Sequence, residues 1–237
     1  MRIAIISDIH GNLPALQAVF TLIDAQKPDT ILSLGDIVGY GPFPSECVQF
    51  LIDRKVENLL GNHDAGLVGK QDMGLFREPN FSWLNKSREL LTTEQYEYLE
   101  QSSYTKVLTE CNGLAVHASP EFPERWRYLD SALECRNLLA HRTESVIFCG
   151  HTHKAAVVAD KLGIMRVQKG HRFVVNPGSI GQPREHDKRA SFGIFDTEAF
   201  SWQLFKVEYD RSIVFRRFKE LRVDSSTAHR LMPIGED

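Results

Sequence analysis

Five groups of residues in this sequence have types and spacings that could do chemistry: Asp8 with His10, Asp36, Asn62 with His63 and Asp64, His117, and His151 with His153. Each group closes an apolar run, at residues 2–7, 31–35, 56–60, 113–116 and 145–149. Alternate residues of an extended segment point to the same side, so Asp8 and His10 face one space. The candidate ligands Asp8, His10, Asp36, Asn62, His117, His151 and His153 offer oxygen and imidazole nitrogen with no thiolate. That mixture suits Mn²⁺, Fe, Zn²⁺, Ni²⁺ or Co²⁺ better than Mg²⁺ or Ca²⁺, which prefer oxygen throughout.

So many donors are too many for one open catalytic ion. They suit two divalent ions sharing a carboxylate, at the ~3.5–4 Å separation of two-metal hydrolases. Such a pair turns a bridging water into hydroxide near neutral pH and holds the non-bridging oxygens of a phosphoester while that hydroxide attacks phosphorus. His63, beside a ligand but outside the pair, is the candidate proton donor to the departing alkoxide, with Asp64 keeping its imidazole charged or oriented.

The elements that must position these residues read as α/β. Residues 2–7 and 31–35 are buried strands joined by a helix that starts near Leu13, capped by Asn12 with Pro14 in its first turn. A strand, helix and strand in so short a span imply a right-handed parallel crossover. A second helix spans 44–54, followed by the strand at 56–60. Residues 65–104 change character: helices at 80–91 and 92–101, the latter opened by the capping box Thr92 with Gln95, make a helical insertion that would wall or cover the site.

Segments 105–109 and 113–117 form a hairpin turned at Cys111-Asn112-Gly113, and 131–141 is helical. Short strands at 155–159, 165–168, 172–175, 191–195 and 202–207 predict a second, mostly antiparallel sheet. A helix at 210–221 closes the fold, and a polar, loosely held tail follows Arg222. The expectation is one domain over 1–222, with 223–237 as the tail.

Bulk properties narrow the function. A 237-residue chain with 42% hydrophobic and 25% charged residues can bury a substantial core. Its net charge of −3 argues against stable nucleic-acid binding and against attraction to membrane surfaces. No apolar stretch reaches the length of a membrane span, and Asp8 interrupts the start too early for a signal peptide, so a cytoplasmic protein is expected. Cys47, Cys111, Cys135 and Cys149 are scattered and read as small buried apolar residues.

In order, Asp8-x-His10, Gly35-Asp36-x-x-Gly39, Gly61-Asn62-His63-Asp64, His117 and Gly150-His151-Thr152-His153 resemble the calcineurin-like metallophosphoesterases over residues 1–207. Gly39-Tyr40-Gly41-Pro42 and the stretch 176–184 are most similar to the small bacterial and archaeal phosphodiesterase-like branch. The resemblance implies a four-layer α/β/β/α sandwich with a dimetal site at one edge. It assigns Asp8, His10, Asp36 and His153 to one ion and Asp36, Asn62, His117 and His151 to the other, with Asp36 bridging and His63 as general acid.

Manganese is the first expectation for the metals. A small, nucleotide-type phosphoester is the expected partner, with Tyr40 stacking on a base and Arg184 meeting a phosphate. Alternatives are a phosphomonoesterase or protein phosphatase, or an interaction scaffold like the retromer subunit of the same fold. Retention of His63 and every ligand speaks against the scaffold.

Overall fold

The computed structural model describes residues 1–232. Its elements, in chain order, are β1 (Arg2–Ile6), α1 (Leu13–Gln26), β2 (Thr30–Ser33), α2 (Pro44–Asp53), β3 (Glu57–Asn58), α3 (Asn62–Leu67), α4 (Asn80–Leu90), α5 (Thr93–Glu100), β4 (Thr105–Leu108) and β5 (Gly113–Val116). There follow α6 (Ala132–Ala140), β6 (Val146–Phe148), β7 (Ala155–Ala159), β8 (Phe173–Pro177), β9 (Ala190–Asp196), β10 (Ser201–Val207), α7 (Ser212–Glu220) and α8 (Ser225–Leu231).

The period-2 alternation of β1 sets the layering. Ile3 and Ile5 point into a core shared with Phe148, Phe173 and Val175 of the second sheet, while Ala4 and Ile6 point the other way, toward Leu16, Val19 and Phe20 of α1. A third core lies on the far face of the second sheet, where Leu114, Val116, Ile147 and Val174 pack on Cys135, Leu138 and Leu139 of α6. Two sheets thus face each other with helices outside both, an α/β/β/α sandwich. Each fully buried side chain such as Phe148 or Phe195 contributes roughly 1.5–3 kcal/mol relative to exposure.

The first sheet runs β10-β9-β1-β2-β3, with β1, β2 and β3 parallel and β9 antiparallel to β1. The second runs β4-β5-β6-β8-β7, parallel at β5-β6-β8 and antiparallel at both edges. Two expectations need correction here. The late strands do not all build one antiparallel sheet: β9 and β10 cross back and pair along the open side of β1, covering what would be an exposed edge. Residues 165–168 form a loop rather than a strand, with Met165 88% exposed.

The tail also differs from expectation. Asp224 caps α8 by accepting from the Thr227 amide at 2.9 Å, and Ala228, Leu231 and Met232 are buried against Trp83, Val214 and Phe218. Those three apolar residues sit at i, i+3 and i+4, a short helical stripe among polar neighbours. Part of the segment, residues 233–237, lies outside the described residues.

Elsewhere local signals work as read. The Asn12 side chain accepts from the Ala15 amide, and Thr92 and Gln95 exchange reciprocal bonds of 3.3 and 3.1 Å at the start of α5. No helix among the described residues is long and apolar enough to cross a membrane.

Candidate metal centre

Three of the strands that end at the centre deliver their donors through turns in left-handed backbone. Asp8 (φ 54°) and His10 (φ 47°) follow β1, Asp36 (φ 58°) follows β2, and His151 (φ 65°) and His153 (φ 58°) follow β6. Such a conformation costs a non-glycine residue roughly 1–2 kcal/mol, so the surroundings must hold it. They do: the Asp8 amide donates to the Gly35 carbonyl (3.0 Å), the His10 amide to that of Asp36 (2.9 Å), and the Gly181 amide to that of Asp8 (2.9 Å). The Asp8 carbonyl also accepts from Ser179 Oγ at 2.8 Å, and Asp8 Oδ2 accepts from the His151 amide at 3.1 Å.

Asn62 and His63 come from the first turn of α3 rather than from a strand end. The Asp64 carboxylate does not reach His63. It accepts from the amides of Asp36 (2.8 Å), Ile37 (2.9 Å) and Val38 (3.2 Å), which corrects the expectation that it orients the imidazole. Three converging amides of the neighbouring loop are better partners than a ring on its own helix, and Asp64 thereby fixes the loop that carries Asp36. Burial, with Asp36 nearby, pushes its carboxyl up to about 7.

Asp8, His10 and His153 form one cluster of donor atoms within 4.8 Å of one another; Asp36, His117 and His151 form another; His10, Asp36 and His63 link them. His153 Nε2 is 3.3 Å from Asp8 Oδ1, and His117 Nε2 is 3.3 Å from Asp36 Oδ2. All the seven ligand candidates except Asn62 are buried, and the Asn62 Oδ1 atom is itself buried without a hydrogen-bond partner, as is Asp8 Oδ1.

The tautomers are fixed from outside. His10 Nδ1 faces the Val38 carbonyl (3.0 Å), His153 Nδ1 that of Gln182 (2.7 Å) and His117 Nδ1 that of Leu34 (3.0 Å). A carbonyl only accepts, so each Nδ1 carries the hydrogen, and the neutral rings of His10 and His153 turn a bare Nε2 inward. His10 and His153 therefore hold two lone pairs 3.1 Å apart, an arrangement that a shared cation relieves.

Protonation follows the same logic. Burial drives His10 and His153 well below the usual imidazole range and His151 down to about 3, so they are neutral and ready to donate electron pairs. Burial also disfavours charge on His117, but Asp36, with Asp8 and Asp64, outweighs it and raises that ring to about 9. Asp36 is itself opposed by burial yet held well below the carboxylate range by His117, His63 and His10. Asp8 is raised by burial to about 6. The donor set, its orphaned oxygens and its inward-facing nitrogens fit a pair of divalent cations.

Glycine is required at two close approaches. A Cβ at Gly39 (φ 86°) would lie 2.3 Å from His63 Nδ1, and one at Gly61 would lie 2.1 Å from Asp36 Oδ1. Cys149, one residue before Gly150, belongs to the outer core beneath α6. Burial pushes its thiol upward, which leaves it inert.

The centre floors an open cleft of about 290 Å³, lined by Asp36, Asn62, His63, His151 and His153. Tyr40 and Arg184, singled out from sequence, line it too, and Arg184 Nη2 donates to the Tyr40 hydroxyl at 3.3 Å. The insertion supplies Leu75, Phe76, Arg77 and Asn80 as wall residues. Tyr128, stacked on His151 at 4.1 Å, and Phe76, 4.9 Å from the His63 ring, were not legible in sequence because both sit in irregular segments without periodicity or motif. A larger hollow of about 400 Å³, near the ends of α1 and α2, holds none of these donors.

Paired sheets that bring carboxylates and neutral imidazoles to one edge define a metal-dependent phosphoesterase architecture. The calcineurin-like phosphoesterase superfamily domain matches residues 1–199, and the chain belongs to that superfamily, which implies hydrolase activity. An uncharacterised protein of Methanocaldococcus jannaschii is 33% identical over 241 residues, covering 97% of this chain and 96% of that protein. The phosphodiesterase YfcE of Escherichia coli is 26% identical over 212 residues, covering 85% and 90%. The crystal structure of a metallophosphoesterase from Sphaerobacter thermophilus superposes with a TM-score of 0.82 at 32% identity, covering 98% of each chain.

Proposed function

We propose that the protein is a two-metal phosphodiesterase that hydrolyses a small nucleotide-type phosphoester in the cleft above Asp36. The observation that carries this reading is the convergence of bare imidazole nitrogens with the unpartnered oxygens of Asp8 and Asn62 on one floor. Asp8, His10, Asp36 and His153 hold one ion, and Asp36, Asn62, His117 and His151 the other, with manganese the first choice for both. When bound, the ions supply positive charge against the phosphoryl oxygens and activation of water at neutral pH.

The remaining work falls to the chain. His63 lines the cleft and is the group that donates to the departing oxygen. Burial lowers this ring to about 4, so it is neutral before substrate arrives. The anionic ester beside it opposes that effect and favours the charged form. Asp64 keeps the Asp36 loop in place. Tyr40 offers a ring to a base, and Arg184 a guanidinium to an anion. Kinship with a protein named a phosphodiesterase supports the ester class. Four buried, unpaired cysteines suit the reducing cytoplasm.

Elemental analysis of purified protein, followed by bis-p-nitrophenyl phosphate hydrolysis with Mn²⁺, tests the reading. Two equivalents of metal and metal-dependent release of nitrophenol are expected. Stoichiometric loading with no ester cleaved would overturn the assignment in favour of a non-catalytic protein.

A further inference from the structure

The histidines of the centre are not all set by the same means. His10, His117 and His153 each rest Nδ1 against a backbone carbonyl, of Val38 (3.0 Å), Leu34 (3.0 Å) and Gln182 (2.7 Å). The Gln182 residue is itself moored, because its side-chain Nε2 donates to the Leu231 carbonyl of α8 at 2.6 Å. His151 has no such acceptor. Its amide donates to Asp8 Oδ2, which fixes its backbone, but among the described residues its ring nitrogens meet only His117 Nε2, 3.2 Å from Nδ1. Those two nitrogens belong to one donor cluster with Asp36, so their contact is no anchor once both lone pairs are given to a cation. No hydrogen bond then holds the plane of the His151 ring.

An aromatic side chain takes that place. The Tyr128 ring lies on the His151 ring with centroids 4.1 Å apart and planes 28° from parallel, close enough for ring–ring attraction to favour one orientation. Its perch is fixed on both sides: the Arg127 carbonyl accepts from the Ser119 amide at 3.0 Å, and Leu129 packs against the outer core under α6. Trp126, buried two residues earlier, sets its ring 5.9 Å from that of His117. One segment between β5 and α6 thus braces both histidines of the cluster. The Tyr128 hydroxyl forms no hydrogen bond among the described residues, so the ring and not the oxygen makes the contact.

We propose that Tyr128 is the positioning residue of His151, its ring standing in for the missing carbonyl and setting the strength of the metal position that Asp36, His117 and His151 form. This rests on the reading of the centre as a two-metal site. The position built on Asp8, His10 and His153 has both of its rings locked by carbonyls and needs no such brace. One position therefore depends on a side chain 46% exposed in the cleft wall, the other on backbone alone.

The test titrates the metal-free, full-length protein with Mn²⁺ by calorimetry. Tyr128→Ala is expected to weaken one of the two equivalents about 10- to 100-fold, the range for losing a partner that orients a ligating histidine. The other equivalent should change less than about threefold. Tyr128→Phe, which keeps the ring, should bind as the wild type does. Metal-free Tyr128→Ala should melt with the wild type, since a half-exposed side chain carries little of the fold. A double-mutant cycle traces the route: in a His151→Ala background, where that position is already lost, adding Tyr128→Ala should change nothing further.

Equal weakening of both equivalents, no weakening of either, or a Tyr128→Phe protein that binds like Tyr128→Ala would overturn the proposal and leave the two-metal reading standing. A wild type that takes up no second equivalent would overturn the two-metal reading, and this proposal with it.

Discussion

On the floor of the cleft, Asp8, His10, Asp36, His151 and His153 are buried, held in left-handed backbone and tied by hydrogen bonds to other loops. At the rim, Leu75, Arg77, Tyr128 and Arg184 are exposed. Floor residues are held from several sides by backbone hydrogen bonds, whereas rim residues lie open to what enters the cleft. Strain concentrated at the floor is the cost of aiming several donors at one point, and the amides and carbonyls around them offset it.

The contrast can be broken most forcefully at Asp36. Asp36→Ala should remove metal from both positions by elemental analysis and reduce hydrolysis by more than the ~100-fold typical of outer-sphere losses. Retention of two equivalents would mean that the floor does not depend on a shared carboxylate. His63→Ala separates holding from chemistry: metal content unchanged, turnover down by roughly 10²–10⁴-fold. Gly39→Ala probes how tightly the floor is fitted, because its methyl would strike His63 Nδ1. A displacement of that size should cost about 10²-fold in kcat with metal retained.

Acidity sharpens the same comparison. His117 is raised to about 9, so at neutral pH the metal-free ring carries a proton that an incoming ion must displace. Apparent metal affinity should therefore climb between pH 7 and 9 and level off above the folded value, with proton release measurable by calorimetry in buffers of different ionisation enthalpy. A flat profile would place the proton elsewhere. The smallest effect belongs to the rim: Leu75→Ser, at a side chain 70% exposed, should change stability by no more than about 0.5 kcal/mol in a thermal melt.

The same division explains what the sequence made legible. The donors could be found because each closes an apolar run, and because β1 buries alternate residues on opposite faces, so a short strand announces both its layer and its end. The destination of β9 and β10 could not, since a strand's own pattern shows which face is apolar but not which neighbour it joins. The role of Asp64 was hidden for a related reason: adjacency to His63 in the chain suggested a pair, while folding brought three amides closer. The wall residues Phe76 and Tyr128 belong to irregular segments, where neither spacing nor residue type carries a signal.

The bond from Gln182 to Leu231 makes the last helix a tether for the turn that steadies His153. Shortening the gene at codon 222 would bare Trp83 and slacken that turn at a stroke. Preparations trimmed for crystallisation would then keep most of their sandwich yet take up too little metal, and a poor yield of activity would be blamed on the wrong end of the chain.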